Sequence, residues 1–314
     1  MSSLSTPVRV VGFIAALAAV FGLTLGVGRL FGPVDTASAS AGHNTHSSTK
    51  PAPEGDGAAT EHAAQLPGGL QVSQDGYTLR LHQNELAAGT ASPLLFVIEG
   101  PDGAPVTDYV KQHDKDLHLI AVRRDFSGFQ HLHPIRSVEG TWSTTVALTP
   151  GSWRLFADFA ARGAEPMTLG ADVNVAGAFT PAATPTADLN TATVDGYTVS
   201  LAGELTPGKD SELTLSVSLS GEPVTDLDPY LGAYGHLVAL RSGDLAYLHV
   251  HPEGTPGDGV TQPGPAISFG ASVPSQGTYH LYLDFQHHGV VHTAAFTLTA
   301  GSGSATGGSD DHQH

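Results

Sequence analysis

The chain repeats itself, and this constrains its fold more than any other property. Gly103-Ala-Pro-Val-Thr-Asp108 returns as Gly221-Glu-Pro-Val-Thr-Asp226, and His118-Leu119 returns as His236-Leu237. His131, His133 and Pro134 return as His249, His251 and Pro252, and all these pairs keep one offset of 118 residues (236 less 118, for example). Beyond that block the spacing drifts while the words persist: Asp75-Gly-Tyr-Thr78 matches Asp195-Gly-Tyr-Thr198, and Leu155-Phe-Ala-Asp-Phe159 matches Leu281-Tyr-Leu-Asp-Phe285. Self-similarity at a fixed period marks two copies of one structural unit. Whatever fold serves one copy must serve both.

Each copy reads as strands. Tyr77-Thr-Leu-Arg-Leu81, Trp153-Arg-Leu-Phe-Ala-Asp-Phe159 and Leu213-Thr-Leu-Ser-Val-Ser-Leu219 alternate with period two, and Gly, Pro, Asp and Asn punctuate between them. About a hundred residues with about seven such stretches fits an immunoglobulin-type sandwich. The expected fold class is therefore all-β: tandem duplicated immunoglobulin-like β-sandwiches behind a single N-terminal transmembrane helix. Gly-x-Pro-Val-Thr-Asp supplies turn chemistry, because Pro fixes φ and Asp favours a turn.

Val10 to Gly28 is apolar and uncharged, about the length that crosses a bilayer as a helix. Arg9 precedes it and few cations follow, so the bulk of the chain is expected outside the cytoplasmic membrane. Ala37-Ser-Ala39 and Ala39-Ser-Ala41 leave signal-peptide cleavage, and hence secretion, as the alternative. The expected order is a cytoplasmic N-terminus (1–9), an anchor or signal segment (10–31), a polar Pro-containing linker (32–66), the first sandwich (67–177), a joint (178–188), the second sandwich (189–300) and a His/Asp-containing tail (301–314).

Histidine is the conspicuous functional residue. There are 17 histidines against 13 Lys and Arg together, and no cysteine, which excludes disulfides, thiolate metal sites and cysteine nucleophiles. A net charge of -17 repels nucleic acid and suits a cation as partner. On a strand, side chains two apart share a face, so His131 and His133 project together, as do His249 and His251. His118 and His236 fall on the preceding strands; in an antiparallel hairpin each lies opposite or diagonal to its His-x-His pair, with Cβ atoms roughly 5 to 8 Å apart. Three imidazoles are thus expected on one face of each copy, enough for Cu(II) or Zn(II).

Asp158 and Asp284 interrupt apolar words in equivalent strands and are expected to ligate the ion or to fix a histidine tautomer. In the second copy His280 shares a strand face with Asp284, and His287, His288 and His292 follow in the next turn and strand, so the second site is expected to be richer in nitrogen. The candidate ligands are His118, His131, His133 and Asp158, and His236, His249, His251, Asp284, His280, His288 and His292. Whether the two sites are separate or cooperate across the domain interface is left open. A three-histidine metal can activate water, but no acid is marked by spacing as a general base, and the chain is not expected to be an enzyme.

The words HLIAVRRDFSGFQHLHP, GTWS at Gly140 to Ser143, YLGAYGHLVALRSGDLAYLHVHP and LYLDFQHHGVVHTA resemble a family of secreted or membrane-anchored proteins of high-GC Gram-positive bacteria. That resemblance spans roughly residues 67–300 and implies an envelope protein associated with heavy-metal handling, possessing as partners a transition-metal ion, the membrane and another envelope metal-handling protein. A more distant likeness is to periplasmic copper-resistance proteins, immunoglobulin-like sandwiches that bind Cu(II) through histidines. The function expected is buffering, delivery or sensing of a divalent transition metal; the alternative is an envelope scaffold whose repeated histidines serve packing.

Overall fold

The strands alternate as their sequences do. The computed structural model describes residues 66–183, 185, 187–248 and 250–301. The expected anchor at 10–31, the linker up to residue 65, the tail from 302 and His249 lie outside the described residues. Among these, no helix is long and apolar enough to cross a membrane.

The first repeat supplies β1 (Ser73–Gln74), β2 (Tyr77–Leu81), β3 (Glu85–Leu86), β4 (Gly89–Glu99), β5 (Leu117–Arg123), β6 (Gln130–Leu132), β7 (Ile135–Arg136), β8 (Thr141–Leu148), β9 (Gly151–Phe159) and β10 (Met167–Val175). The second supplies β11 (Thr191–Val194), β12 (Tyr197–Ala202), β13 (Asp210–Leu219), β14 (Glu222–Pro223), β15 (His236–Arg241), β16 (Tyr247–Leu248), β17 (Val250–Pro252), β18 (Ala266–Ser272), β19 (Gly277–His287) and β20 (Val290–Ala300). The first sandwich packs sheet β1-β2-β4-β8-β7 on sheet β3-β10-β9-β5-β6. The second packs β11-β12-β13-β18-β17, with β14 on β13, against β16-β15-β19-β20. The described residues are thus all-β and duplicated, and both repeats belong to one compact unit.

In β12 buried and exposed residues alternate one by one, the mark of a sheet with one wet face. Each sandwich closes on its own core: Phe96, Trp142, Trp153 and Phe159 in the first, Phe269, Tyr279, Phe285 and Phe296 in the second. Strands β5, β9, β15 and β19 break the alternation and are buried on both faces. Their inward residues, such as Leu119, Leu155, Leu237 and Leu283, join the two cores. Their outward residues form a third apolar cluster, in which Ile120, Val122 and Phe156 of the first repeat meet Val238, Leu240, Leu245, Tyr247 and Tyr282 of the second. Fully burying one such large side chain is worth about 1.5–3 kcal/mol, so the outer face of each repeat is stabilised by the other.

The aromatic residue two places before each His-x-His-Pro serves this contact. Phe129 stacks on Tyr282 with ring centroids 4.0 Å apart and planes 5° apart, and its equivalent Tyr247 lies 5.6 Å from Phe156. Gly128, just before Phe129, packs against the first core: it sits at φ 68°, and a Cβ there would lie 2.5 Å from Trp153 Cη2.

Candidate metal centre

The same period-two logic that sends Ile120 and Val122 outward sends His118 outward beside them. His118 pairs with Asp158 across β5 and β9, and His236 pairs with Asp284 across β15 and β19. Two polar pairs at equivalent positions are thereby carried into the contact between the repeats. All four residues are buried, with His118 and Asp284 each 2% exposed. On β6, His131 lies opposite Ile120, which brings it to the same face.

The hydrogen bonds then fix the tautomers. His118 Nε2–H donates to the Gln112 carbonyl at 2.9 Å, since a carbonyl can only accept. His131 Nδ1–H donates to Asp284 Oδ2 at 2.8 Å, and Thr293 Oγ1–H donates to Asp284 Oδ1 at 2.5 Å. These outer bonds use the single proton of each neutral ring. His118 Nδ1 and His131 Nε2, 2.9 Å apart, therefore face each other with lone pairs. That juxtaposition calls for a cation: a proton, giving a His131 imidazolium against Asp284, or a metal ion. Burial first, and then the neighbouring His131, push the His118 pKa down to about 4.

His236 completes the set. Its ring stacks on His118 at 5.4 Å and lies 4.8 Å from that of His131. One ligand nitrogen from each of His118, His131 and His236 lies within 4.8 Å of the other two. Zn–N bonds of 2.0–2.1 Å place tetrahedral ligand nitrogens about 3.3 Å apart, so small ring movements bring the three to bonding distance. His133 stands beside them, 5.1 Å from His118 and 4.8 Å from His131 between ring centroids. Its Nε2 is buried without a hydrogen-bond partner among the described residues, and burial holds its pKa down to about 3. A neutral buried nitrogen of this kind has a free lone pair beside the three-histidine group. His113 borders the group, 5.2 Å from the His236 ring.

The remaining candidates lie elsewhere. Asp158 accepts from Thr168 Oγ1 at 2.9 Å, and burial raises its pKa to about 6. His280 bonds Ser242 Oγ at 2.9 Å and stacks on Phe126 at 3.8 Å, well along the interface. His292 Nδ1 donates to Asp195 at 2.8 Å, and His288 is exposed in the β19–β20 turn. His249 lies outside the described residues.

Two expectations concern the second copy. The first was a three-histidine face in both copies; in the second copy its middle member, His249, lies outside the described residues. In the first repeat β6 stays on β5 past His131 as far as Leu132, and only β7, from Ile135, crosses to β8 in the other sheet. In the second repeat β16 pairs with β15 in the equivalent register, but β17 already pairs with β18 of the opposite sheet, opposing His251 to Gly270. The crossing comes before His251 but after His133. His251 is exposed and lines a cavity of about 740 Å³ with Asp158, Thr168 and Tyr247. The second expectation was a site richer in nitrogen in the second copy. Among the described residues the cluster draws His118, His131 and His133 from the first repeat, and His236 with the orienting Asp284 from the second. His113 was missed because it lies in the loop before β5, at φ 47°, where no strand periodicity reports direction.

The family described as Domain of unknown function (DUF8832) matches residues 71–177 and again 192–302. No curated protein matches the chain. Among solved structures it is similar to the Escherichia coli adhesin FdeC (11% identity, 73% of this chain and 65% of that one, TM-score 0.25). Salmonella alpha-2-macroglobulin reacted with methylamine matches at 11% identity over 76% of this chain and 15% of that one, with a TM-score of 0.26. A marsupial T cell receptor matches at 11% identity over 72% and 99%, with a TM-score of 0.21. The chain spans less than two thirds of the adhesin and of the macroglobulin.

Proposed function

We propose that this chain, which belongs to the DUF8832 family and carries its domain twice, binds one divalent transition-metal ion between its two repeats. The ligands are His118, His131 and His236, with His133 as a fourth nitrogen. The observation that carries this reading is the pair of facing lone pairs on His118 Nδ1 and His131 Nε2, each ring held in that tautomer by an acceptor on its far side. A carboxylate behind a ligating histidine is the usual device for orienting the ring and raising its basicity, and Asp284 stands in that place. Three or four imidazoles without thiolate suit Cu(II) or Zn(II). Displayed outside the cytoplasmic membrane from an N-terminal anchor, such a centre serves to buffer, sense or deliver the metal, passing it to another envelope protein.

The other reading, a scaffold, draws on the same bonds. A proton between His118 and His131 satisfies both rings, and the centre then acts only to lock the repeats together. Titration of the metal-stripped full chain with Zn(II) and Cu(II) decides between them. One ion should be lost on His131→Ala, from the first repeat, and equally on His236→Ala, from the second. Unchanged binding in both variants leaves the scaffold.

A further inference from the structure

The duplication supplies an internal control at the end of β19, three residues beyond Asp284. Asp108 of the first repeat and Asp226 of the second are equivalent, and so are the backbone bonds beside them, Val110 N–H to Ala160 O at 2.8 Å and Asp228 N–H to Gln286 O at 2.9 Å. Counting on from those carbonyls, Ala161 and Arg162 stand where the second repeat has His287 and His288. In the first repeat Arg162 Nε donates to Asp108 Oδ2 at 2.7 Å, an exposed ion pair. In the second repeat the same aspartate meets two imidazoles. His287 Nε2 lies 3.1 Å from Asp226 Oδ1, and the His287 and His288 rings lie 3.8 Å apart. One ligand atom from each of Asp226, His287 and His288 falls within 4.8 Å of the others. The guanidinium has been replaced by two imidazoles around a retained carboxylate.

We propose that Asp226, His287 and His288 form a second, surface site for a divalent transition-metal ion, which takes the place that Arg162 fills in the first repeat. Two nitrogens and one carboxylate are a borderline donor set, suited to Zn(II) or Cu(II). His287 is buried and held from behind: its Nδ1 lies 2.8 Å from the Tyr197 hydroxyl. A hydroxyl both donates and accepts, so Tyr197 accepts a hydrogen bond from His287 Nδ1–H when the ring's proton sits on Nδ1 and Nε2 is free to turn from Asp226 to the ion. Asp226 and His288 are exposed, so the remaining coordination positions face solvent, open to water or to a ligand from a partner that receives the metal. The site shares no residue with the interior centre.

The test is a Zn(II) titration of the metal-stripped full chain against a chromophoric chelator, comparing wild type with His288→Arg. The variant rebuilds the first repeat's own ion pair, so the fold is retained, and a thermal melt checks it. His288→Arg should bind one ion fewer than wild type, and His131→Ala should lose a different ion, so that the double variant lacks both. Equal stoichiometry and affinity in wild type and His288→Arg overturns the proposal, whatever His131→Ala does. A readout independent of any variant is NMR of the wild type with Co(II), which should broaden the Tyr197, His288 and Gly289 signals. Intact signals at saturating Co(II) overturn it as well.

Discussion

His131 of the first repeat and Asp284 of the second are 153 residues apart in the chain, and 2.8 Å separates Nδ1 from Oδ2. Their side chains are 2% and 3% exposed, so the bond is made out of water. The repeats are unequal halves of one centre: the first brings the histidine pair, the second the carboxylate that orients it. Duplication has produced an interface, with the site built on it.

Replacing Asp284 by asparagine keeps an acceptor oxygen and the side-chain shape but removes the charge behind His131. Zn(II) affinity, measured by competition with a chelator, should fall about 10- to 100-fold, the usual effect of losing such a partner. Asp284→Ala also leaves the buried His131 N–H without its acceptor and should cost about 1–3 kcal/mol in urea unfolding. Unaltered affinity in Asp284→Asn would remove the carboxylate from the metal argument.

Acid should loosen the metal-stripped protein. The folded-state pKa values of His118 and His133 lie at about 4 and 3, below the ordinary 6.5, so the unfolded chain takes up protons that the folded one refuses. Their contribution to stability is complete above pH 6.5 and is lost as the pH falls through the range down to about 4, roughly 3 kcal/mol for His118 alone. Asp158 acts in the opposite sense: its pKa is raised to about 6, so the folded state gains a proton as the pH falls from there toward the ordinary carboxylate range. The urea midpoint should therefore drop between about pH 7.5 and about pH 4.5, and more steeply in Asp158→Asn. A midpoint that holds or rises on acidification refutes the buried neutral histidines.

The Phe129–Tyr282 stack predicts coupling between the repeats. Phe129→Ala should cost about 2–3 kcal/mol, less than a fully buried phenylalanine. A double-mutant cycle of Phe129→Ala with Tyr282→Ala should return about 0.5–1.5 kcal/mol of interaction, the worth of such a ring pair beyond its buried area. A coupling near zero would mean that the repeats dock without these rings.

The two sandwiches were legible because strand alternation and repeated words are local signals. His118, His131 and His133 could be gathered on one face from register alone, and Asp284 could be singled out as a charged residue in an apolar word. The contact between the repeats was not legible. That β9 and β19 are buried on both faces looks, in sequence, like Arg154-Leu-Phe-Ala-Asp158 with a polar outer face, until the other repeat covers it. Nor does any residue announce that the chain changes sheets before His251 but after His133, since the two motifs are nearly identical. That few-residue difference sets His251 opposite Gly270 in the other sheet.

His133 separates ligand from packing most cleanly. Its Nε2 is buried without a partner among the described residues. An unsatisfied buried polar atom costs about 1–3 kcal/mol, so removing it relieves a penalty that the cavity left behind partly restores. In His133→Ala the metal-free protein should therefore unfold at nearly the wild-type urea concentration, while the gain in melting temperature on adding Zn(II) shrinks. The two effects come apart only if the ring acts on a bound ion. A packing residue would lower the stability of both forms together, and parallel losses with and without Zn(II) would assign His133 to the scaffold.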